Sequence, residues 1–283
     1  MKRLGEEDKE RVLAYLRRER EMNTFFLGDI YNCGLAHSIV KVFGEPAGDS
    51  FASLLLIYRN TMDLVYAQSP AYPTGPVLSQ LQQQKKITAI SGKEEIIKKL
   101  VPFLPGFQPE VTYLLSCSKP ESSFLRPLKG GEEIRELKGE ADFGQNVDLI
   151  NTIEEFSLSG SSYSTPEERQ ALVAKALDGV KIGNRTLGLF LQGLLVASVS
   201  LTASYQEGGM LVSVCTRKGY RGRGYVSHLA VQMCEEEFRK GKKSLCLFYD
   251  NPIAGSIYRK IGFTDRGNYL VLHHLDSEKK QDD

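Results

Sequence analysis

The sequence predicts an α/β protein that uses one order of elements twice, and three observations carry that reading. The chain has 283 residues, more than the roughly 150 of an ordinary domain. Apolar periodicity gives the order ααβββαβαβ in the first half and βααβββαβαβ in the second. Between them, Ser116-Cys117-Ser118-Lys119-Pro120-Glu121-Ser122-Ser123 is small, polar and broken by proline, which suits a linker with its boundary near Pro120. The halves share a pattern of elements and no residue motif.

Taken in order, residues 6–21 set Val12, Leu13 and Leu16 among charges at helical spacing, and Asn23 offers a cap for a second helix carrying Phe26, Leu27 and Ile30. Strand-like runs follow at 39–43, 51–58 and 62–68, with Asn60 in the turn between the last two. A Pro/Gly-rich turn from Pro70 to Pro76 leads to a helix over 77–84, a strand at 87–90, a helix at 94–100 and a strand at 111–116. Past the linker the spacing predicts a strand at 124–128, a helix over 143–156, a polar loop at 157–166 and a helix at 167–177. Strands at 185–191, 194–202 and 210–215 precede a helix over 226–240, a strand at 244–249, a helix at 252–260 and a strand at 269–274. The charged residues 277–283 have nothing apolar to dock and read as a frayed tail.

Composition excludes several classes. A hydrophobic share of 41% with 25% charged residues is that of a globular chain rather than a disordered, collagen-like or disulfide-scaffold one. The formal net charge of +1 lacks the basic excess of non-specific nucleic-acid binding, so any anion site must be local. Cys33, Cys117, Cys215, Cys234 and Cys246 are odd in number and mostly sit in apolar runs, which suits reduced thiols in the cytoplasm. The first residues form no apolar signal core and no run approaches a membrane span, so neither export nor a membrane partner is expected. His37, His228, His273 and His274 show no metal spacing, and no metal is expected.

The chemistry concentrates where the strand ending Val214-Cys215-Thr216 meets Arg221-Gly222-Arg223-Gly224-Tyr225-Val226 and then an amphipathic helix. A helix N-terminus gathers unpaired N–H groups and the positive end of the dipole. Gly222 and Gly224 let the backbone curl around a ligand, and Arg221 and Arg223 add charge, which together make a pyrophosphate cradle. The loop lacks the Gly-Lys-Ser/Thr ending of a nucleotide P-loop and the Gly-x-Gly-x-x-Gly of a dinucleotide site. Taken alone, Arg-Gly-Arg-Gly also reads as an exposed basic turn or an RNA contact.

Some 25 residues on, a strand runs into Asp250-Asn251-Pro252-Ile253-Ala254-Gly255-Ser256-Ile257-Tyr258-Arg259-Lys260-Ile261-Gly262-Phe263. Together the two segments resemble the GNAT superfamily of acetyl-CoA-dependent N-acetyltransferases, specifically from about Val212 to Phe263; Val226 departs from the family's usual Gly or Ala. The resemblance implies a mixed, mostly antiparallel sheet flanked by helices, and acetyl-CoA as co-substrate. It also implies that the backbone of Val214 and Thr216, with Cys215 between them, holds the pantetheine arm. The amides of Arg221, Gly222, Arg223, Gly224, Tyr225 and Val226 would hold the pyrophosphate, Asn251 and Ser256 would contact the cofactor arm, and Tyr258 would protonate the departing thiolate. A phenol suits a thiolate of similar basicity, while packing with Ile257 and Ile261 is the alternative for Tyr258. Cys215, with no histidine near it in sequence, reads as a buried strand residue and direct transfer is favoured over an acyl-enzyme.

The domains that follow are a degenerate GNAT-like one over 1–119, a catalytic one over 120–276 and the 277–283 tail. The first half's Gln68-Ser69-Pro70-Ala71-Tyr72-Pro73-Thr74-Gly75-Pro76 loses amide donors to its prolines, so that half is expected to hold no cofactor and to shape the acceptor cleft or an oligomer surface. Glu154, Glu155, Glu207 and Asp250 are candidates for the base, none of them assigned. The loop 157–165, with Tyr163, lies where the family forms acceptor specificity. The resulting expectation is transfer of an acetyl group to a primary amine of a small molecule, peptide or protein. Its rivals are a non-catalytic acyl-CoA sensor or interaction module, and an RNA-binding protein that the acidic helix and neutral charge disfavour.

Overall fold

The computed structural model describes residues 1–59, 62–84, 86–154 and 162–275. Asn60, Glu155, residues 157–161 and the 277–283 tail lie outside them. In chain order the elements are β1 (Lys2–Arg3), α1 (Lys9–Leu16), α2 (Thr24–Cys33), β2 (Val40–Ala47), β3 (Ser50–Tyr58), β4 (Met62–Tyr66), α3 (Thr74–Gln82), β5 (Ala89–Lys93), α4 (Glu94–Ile97) and β6 (Phe107–Cys117). They continue as β7 (Glu132–Glu136), α5 (Gly139–Asn151), α6 (Pro166–Lys181), β8 (Arg185–Leu191), β9 (Leu194–Thr202), β10 (Gly208–Thr216), α7 (Tyr225–Arg239), β11 (Ser244–Tyr249), α8 (Pro252–Lys260) and β12 (Thr264–His274). The chain divides into two compact units, Met1–Leu114 with the segment from Asp265, and Leu115–Thr264.

In the first unit the strand order is β1-β2-β3-β4-β5-β12-β6. β2, β3 and β4 form an antiparallel meander, β5 runs parallel to β4, and β12 runs antiparallel to β5 from Tyr269 opposite Lys93 to His273 opposite Ala89. Alternation along these strands puts Leu55, Ile57, Val65 and Ile90 on one face, where Val77, Leu81, Ile96 and Ile97 pack on them together with Leu270 and Leu272 of β12. The single opening helix expected over 6–21 is broken into a 3-10 turn, α1 and a second 3-10 turn. Asn23 stands at the start of α2 without capping it, and its side-chain NH2 donates to the Leu16 carbonyl at 2.9 Å.

In the second unit β7, β8, β9 and β10 are successively antiparallel and β11 runs parallel to β10. α7 lays Leu229, Ala230, Met233 and Cys234 on one face of this sheet, while Phe143, Val147 and Ile150 of α5 and Val173 of α6 cover the other. α6 opens on a capping box in which Thr165 and Glu168 exchange hydrogen bonds, with Pro166 as its first residue. The strand expected at 124–128 is instead a 3-10 turn at Ser122–Phe124, and pairing begins only at Glu132, past Pro127 and the Gly130-Gly131 pair. Each unit is thus a mixed, mostly antiparallel sheet covered by helices.

The division differs from one at residues 119 and 120 in two places. The boundary falls inside β6, because Leu114, Leu115, Ser116 and Cys117 are all buried and the strand continues through the polar stretch that reads as a linker. Farther on, Glu121 N–H donates to the Ile261 carbonyl, and Gly262, with a positive φ, is packed against Lys119 and Pro120, so this stretch is anchored rather than free. At the other end the strand from Asp265 completes the first unit's sheet instead of the second's.

Candidate active site

The second unit is built around a gap between two parallel strands. β10 and β11 pair from Gly208 opposite Ser244 to Leu211 opposite Leu247, and there the pairing stops although both strands run on. A bulge causes the departure: Val212 faces Ser200 while Cys215 faces Ser198, so β10 holds one residue more than β9. Ser213 sits in that bulge with φ of +50°, a strained conformation for a residue with a Cβ. The opened strands wall a cavity of about 580 Å3, which Val214, Cys215 and Thr216 line from β10 and Phe248 and Tyr249 from β11.

One end of this cavity is the glycine loop. Gly222 and Gly224 both take left-handed conformations, φ +78° and +74°, and a Cβ at either would meet no atom within 4 Å, so the demand for glycine is conformational. Gly224 is the residue before α7, and its carbonyl accepts from the His228 amide at 3.0 Å. The amides of Tyr225, Val226 and Ser227 therefore have no acceptor within the helix and border the cavity. The Arg221 amide is different, since it closes a turn on the Lys218 carbonyl, while its Nε donates to the Thr216 carbonyl at 3.2 Å. The run of open amides is thus shifted one residue along from the expected Arg221–Val226 set and includes Ser227. The Tyr225 ring is buried, with its hydroxyl donating to Glu132, and paired Arg126 holds that carboxylate at about 2.

The other wall is α8. Ala254, Ile257 and Tyr258 line the cavity, as does Ile253, which is 72% exposed at its mouth. Tyr258 is 8% exposed, and burial, followed by Cys215 and Asp250 nearby, pushes its hydroxyl up to about 12. The phenol therefore stays protonated throughout the neutral range. Burial likewise raises the Cys215 thiol to about 11, with Ser198 Oγ at 3.4 Å, so no thiolate stands in this strand at neutral pH. Asn251 lines the cavity too, but its Oδ1 caps α8 by accepting from the Ile253 amide at 2.9 Å. Ser256 is the one expected residue left outside: it is exposed and does not line the cavity. It lies two positions from Tyr258, about 200° around the helix, so the two cannot share a face.

Of the described candidate bases, only Asp250 lines the cavity. The Glu154 side chain is 89% exposed and faces Lys218 at 3.8 Å, and Glu207 is engaged by Lys243. Tyr163 is tied to the helices, its hydroxyl donating to Asp148 at 2.8 Å, where Arg169 binds the same carboxylate with two hydrogen bonds. Among the described residues no cluster of His, Cys, Asp or Glu could hold a metal ion, and no helix is long and apolar enough to cross a membrane.

Comparison with known proteins bears on this geometry. Residues 186–272 match the model of the FR47-like protein family. A GCN5-related N-acetyltransferase-like protein from Streptococcus suis is similar over 95% of this chain and 99% of its own, with 15% identity and a TM-score of 0.58. A Drosophila protein gives 97% and 98%, 14% identity and a TM-score of 0.66. A tandem GNAT protein from the clavulanic acid biosynthesis pathway gives 96% and 98%, 11% identity and a TM-score of 0.59. No curated protein sequence matches. These likenesses extend over both units and show that the chain shares the fold of GCN5-related N-acetyltransferases, and the family match spans the bulged strand, the glycine loop and α8.

Proposed function

We propose that this protein is an acyltransferase that moves an acetyl group from acetyl-CoA to a primary amine by direct attack in a ternary complex. The observation that carries the reading is the opening of β10 from β11 beside the exposed amides of α7, within one cavity. The residues present fit the co-substrate: Gly222 through Ser227 offer backbone donors and a dipole end to its pyrophosphate, and the unpaired edges of the strands offer peptide groups to its amide-bearing arm. When bound, acetyl-CoA supplies a thioester carbonyl open to attack and a thiolate as leaving group. Val214 and Cys215 orient that end within the gap. Tyr258, protonated and buried in the cavity wall, donates a proton to the leaving sulfur. Cys215, held as a thiol, forms no acyl intermediate.

The first unit, by the same reading, is a GNAT-like domain that has lost its cofactor. A second reading, a sensor that binds acyl-CoA without turnover, is favoured by one observation: among the described candidate bases Asp250 alone lines the cavity, and its carboxylate already accepts from the Asn251 amide at 2.7 Å.

Calorimetric titration with acetyl-CoA tests the proposal, using wild type beside Gly224→Glu, which strains a left-handed position and sets a carboxylate against the phosphates. Binding with one site in wild type and none in the variant is expected. Absence of binding to wild type would overturn both readings, and binding without thiol release to any amine would favour the sensor.

A further inference from the structure

A second cavity of about 240 Å3 lies in the same unit and shares a wall with the first. Val212 and Ser213 line both, so the two cavities adjoin at the bulge of β10, and the second lies between the sheet and α5 and α6. Its apolar wall includes Phe143, Val147, Ile150 and Leu172. Its polar groups are unequal in sign: Lys175 is the one ionisable side chain in the lining, and no carboxylate is there. Among the described residues Lys175 forms no ion pair.

Asn146, on α5, is 5% exposed and lines this cavity, and its Oδ1 has no hydrogen-bond partner. A buried amide oxygen left without a donor is destabilising. The neighbouring hydroxyls of Thr186 and Ser200 are bonded to each other at 2.8 Å, and neither reaches the Asn146 oxygen. An amide oxygen left without a donor, in a cavity that also holds a cation without an ion pair and adjoins the first cavity at the bulge, is a binding arrangement rather than a packing one.

We infer that this cavity is the acceptor subsite and that it takes a small amine bearing a carboxylate, whose anionic group meets Lys175 and whose N–H or O–H donates to Asn146 Oδ1. A polycationic peptide is the wrong charge for it, since Lys175 would repel such a chain and no carboxylate would attract it. The inference rests on the acetyltransferase reading above. In the reaction the neutral amine nitrogen forms a bond to the thioester carbonyl carbon as the carbon–sulfur bond breaks. The nitrogen loses a proton to solvent and the sulfur gains one, giving an amide and free coenzyme A.

The test measures thiol release from acetyl-CoA by the full chain, with each proteinogenic amino acid, its α-carboxamide and an oligolysine peptide as acceptors. Acetyl-CoA binding is followed separately by calorimetry, so that a failed cofactor site is told apart from a failed acceptor assignment. We expect at least one free amino acid to react about fivefold or more faster in kcat/KM than its carboxamide, and that ratio to fall to about one in Lys175→Met. Asn146→Leu, nearly isosteric, should raise KM for the same acceptor about tenfold and also raise Tm, because it removes the orphaned oxygen. A structural asparagine would instead lower Tm on that change. With acetyl-CoA bound, preference for the carboxamide or for oligolysine, no turnover of any amino acid, or a ratio unchanged in Lys175→Met would overturn the inference.

Discussion

The two units place the same parallel strand pair to opposite use. In the second, pairing of β10 with β11 ends at Leu211 and Leu247, and a cavity opens beyond. In the first, β4 and β5 stay paired to Val65 and Gly92, one residue short of the end of each strand. Gly92 makes that closeness workable, because a Cβ there would collide with the Val65 carbonyl oxygen. Glu19 then ties the strand ends together, accepting from Tyr66 Oη at 2.8 Å and Lys93 Nζ at 2.9 Å. The helix that follows differs as well: the third residue of α3 is Pro76, which has no amide to offer, where the third residue of α7 is Ser227. Tyr72 of the preceding loop is buried, its hydroxyl donating to the Ile96 carbonyl at 3.1 Å. One topology thus becomes a cleft or a closed core according to a bulge, a helix start and one bridging carboxylate.

Four experiments break or sharpen this contrast. The largest effect is expected from Tyr258→Phe, which keeps the ring and removes the proton: kcat should fall about 100-fold with acetyl-CoA affinity unchanged by calorimetry. Since burial holds this phenol at about 12, the wild-type rate should show no alkaline decline from Tyr258 below about pH 10.

Next is the first unit's Asp63, a buried residue on β4 whose Oδ1 has no partner and whose carboxyl burial raises to about 7. A folded-state value above the unfolded one means that the group favours the fold fully below about pH 4 and loses that favour as pH rises to 7. Asp63→Asn should therefore flatten the fall in stability between pH 4 and 7, and gain on the order of 3 kcal/mol at pH 8 by urea unfolding.

Smaller is Ser227→Pro, which copies the first unit's helix start into the second. Proline is tolerated in a first turn, so Tm should barely move while acetyl-CoA affinity drops about tenfold through one lost amide. Smallest is Glu19→Gln, which loosens the tie between β4 and β5 and should cost about 1 kcal/mol; acetyl-CoA should still bind at one site per chain, and a second site would show that the tie alone keeps the first unit closed.

The sequence makes the loop legible because glycine spacing and a helix start are local properties, and Gly222 and Gly224 need nothing distant to be read. Tyr258 is legible for the same reason, as part of a short segment with a fixed spacing. Ser256 shows local reasoning stopping early: helical geometry alone turns it away from Tyr258. The bulge at Ser213 is not legible, because serine in a strand carries no mark of a left-handed conformation and only the register against β9 reveals the extra residue. Asn251 before Pro252 does carry the local mark of a helix cap, whereas residue spacing cannot foresee that Arg221 closes a turn with its amide. The exchange of the last strand escapes for a different reason, since the alternation at 269–274 suits either sheet and the choice lies in long-range pairing.

That exchange has a consequence for how the chain is made. β12 supplies Leu270 and Leu272 to the first unit's core and a neighbour to β5, although 150 residues of the second unit, Leu115–Thr264, are synthesised in between. As the chain leaves the ribosome the first residues to emerge are the last to be finished, while the second unit has all its strands as soon as Thr264 is clear. The amino-terminal half is therefore no independent folding module. It stays an unfinished sheet, with β5 bare along one edge, until translation has passed the whole of the unit inserted within it.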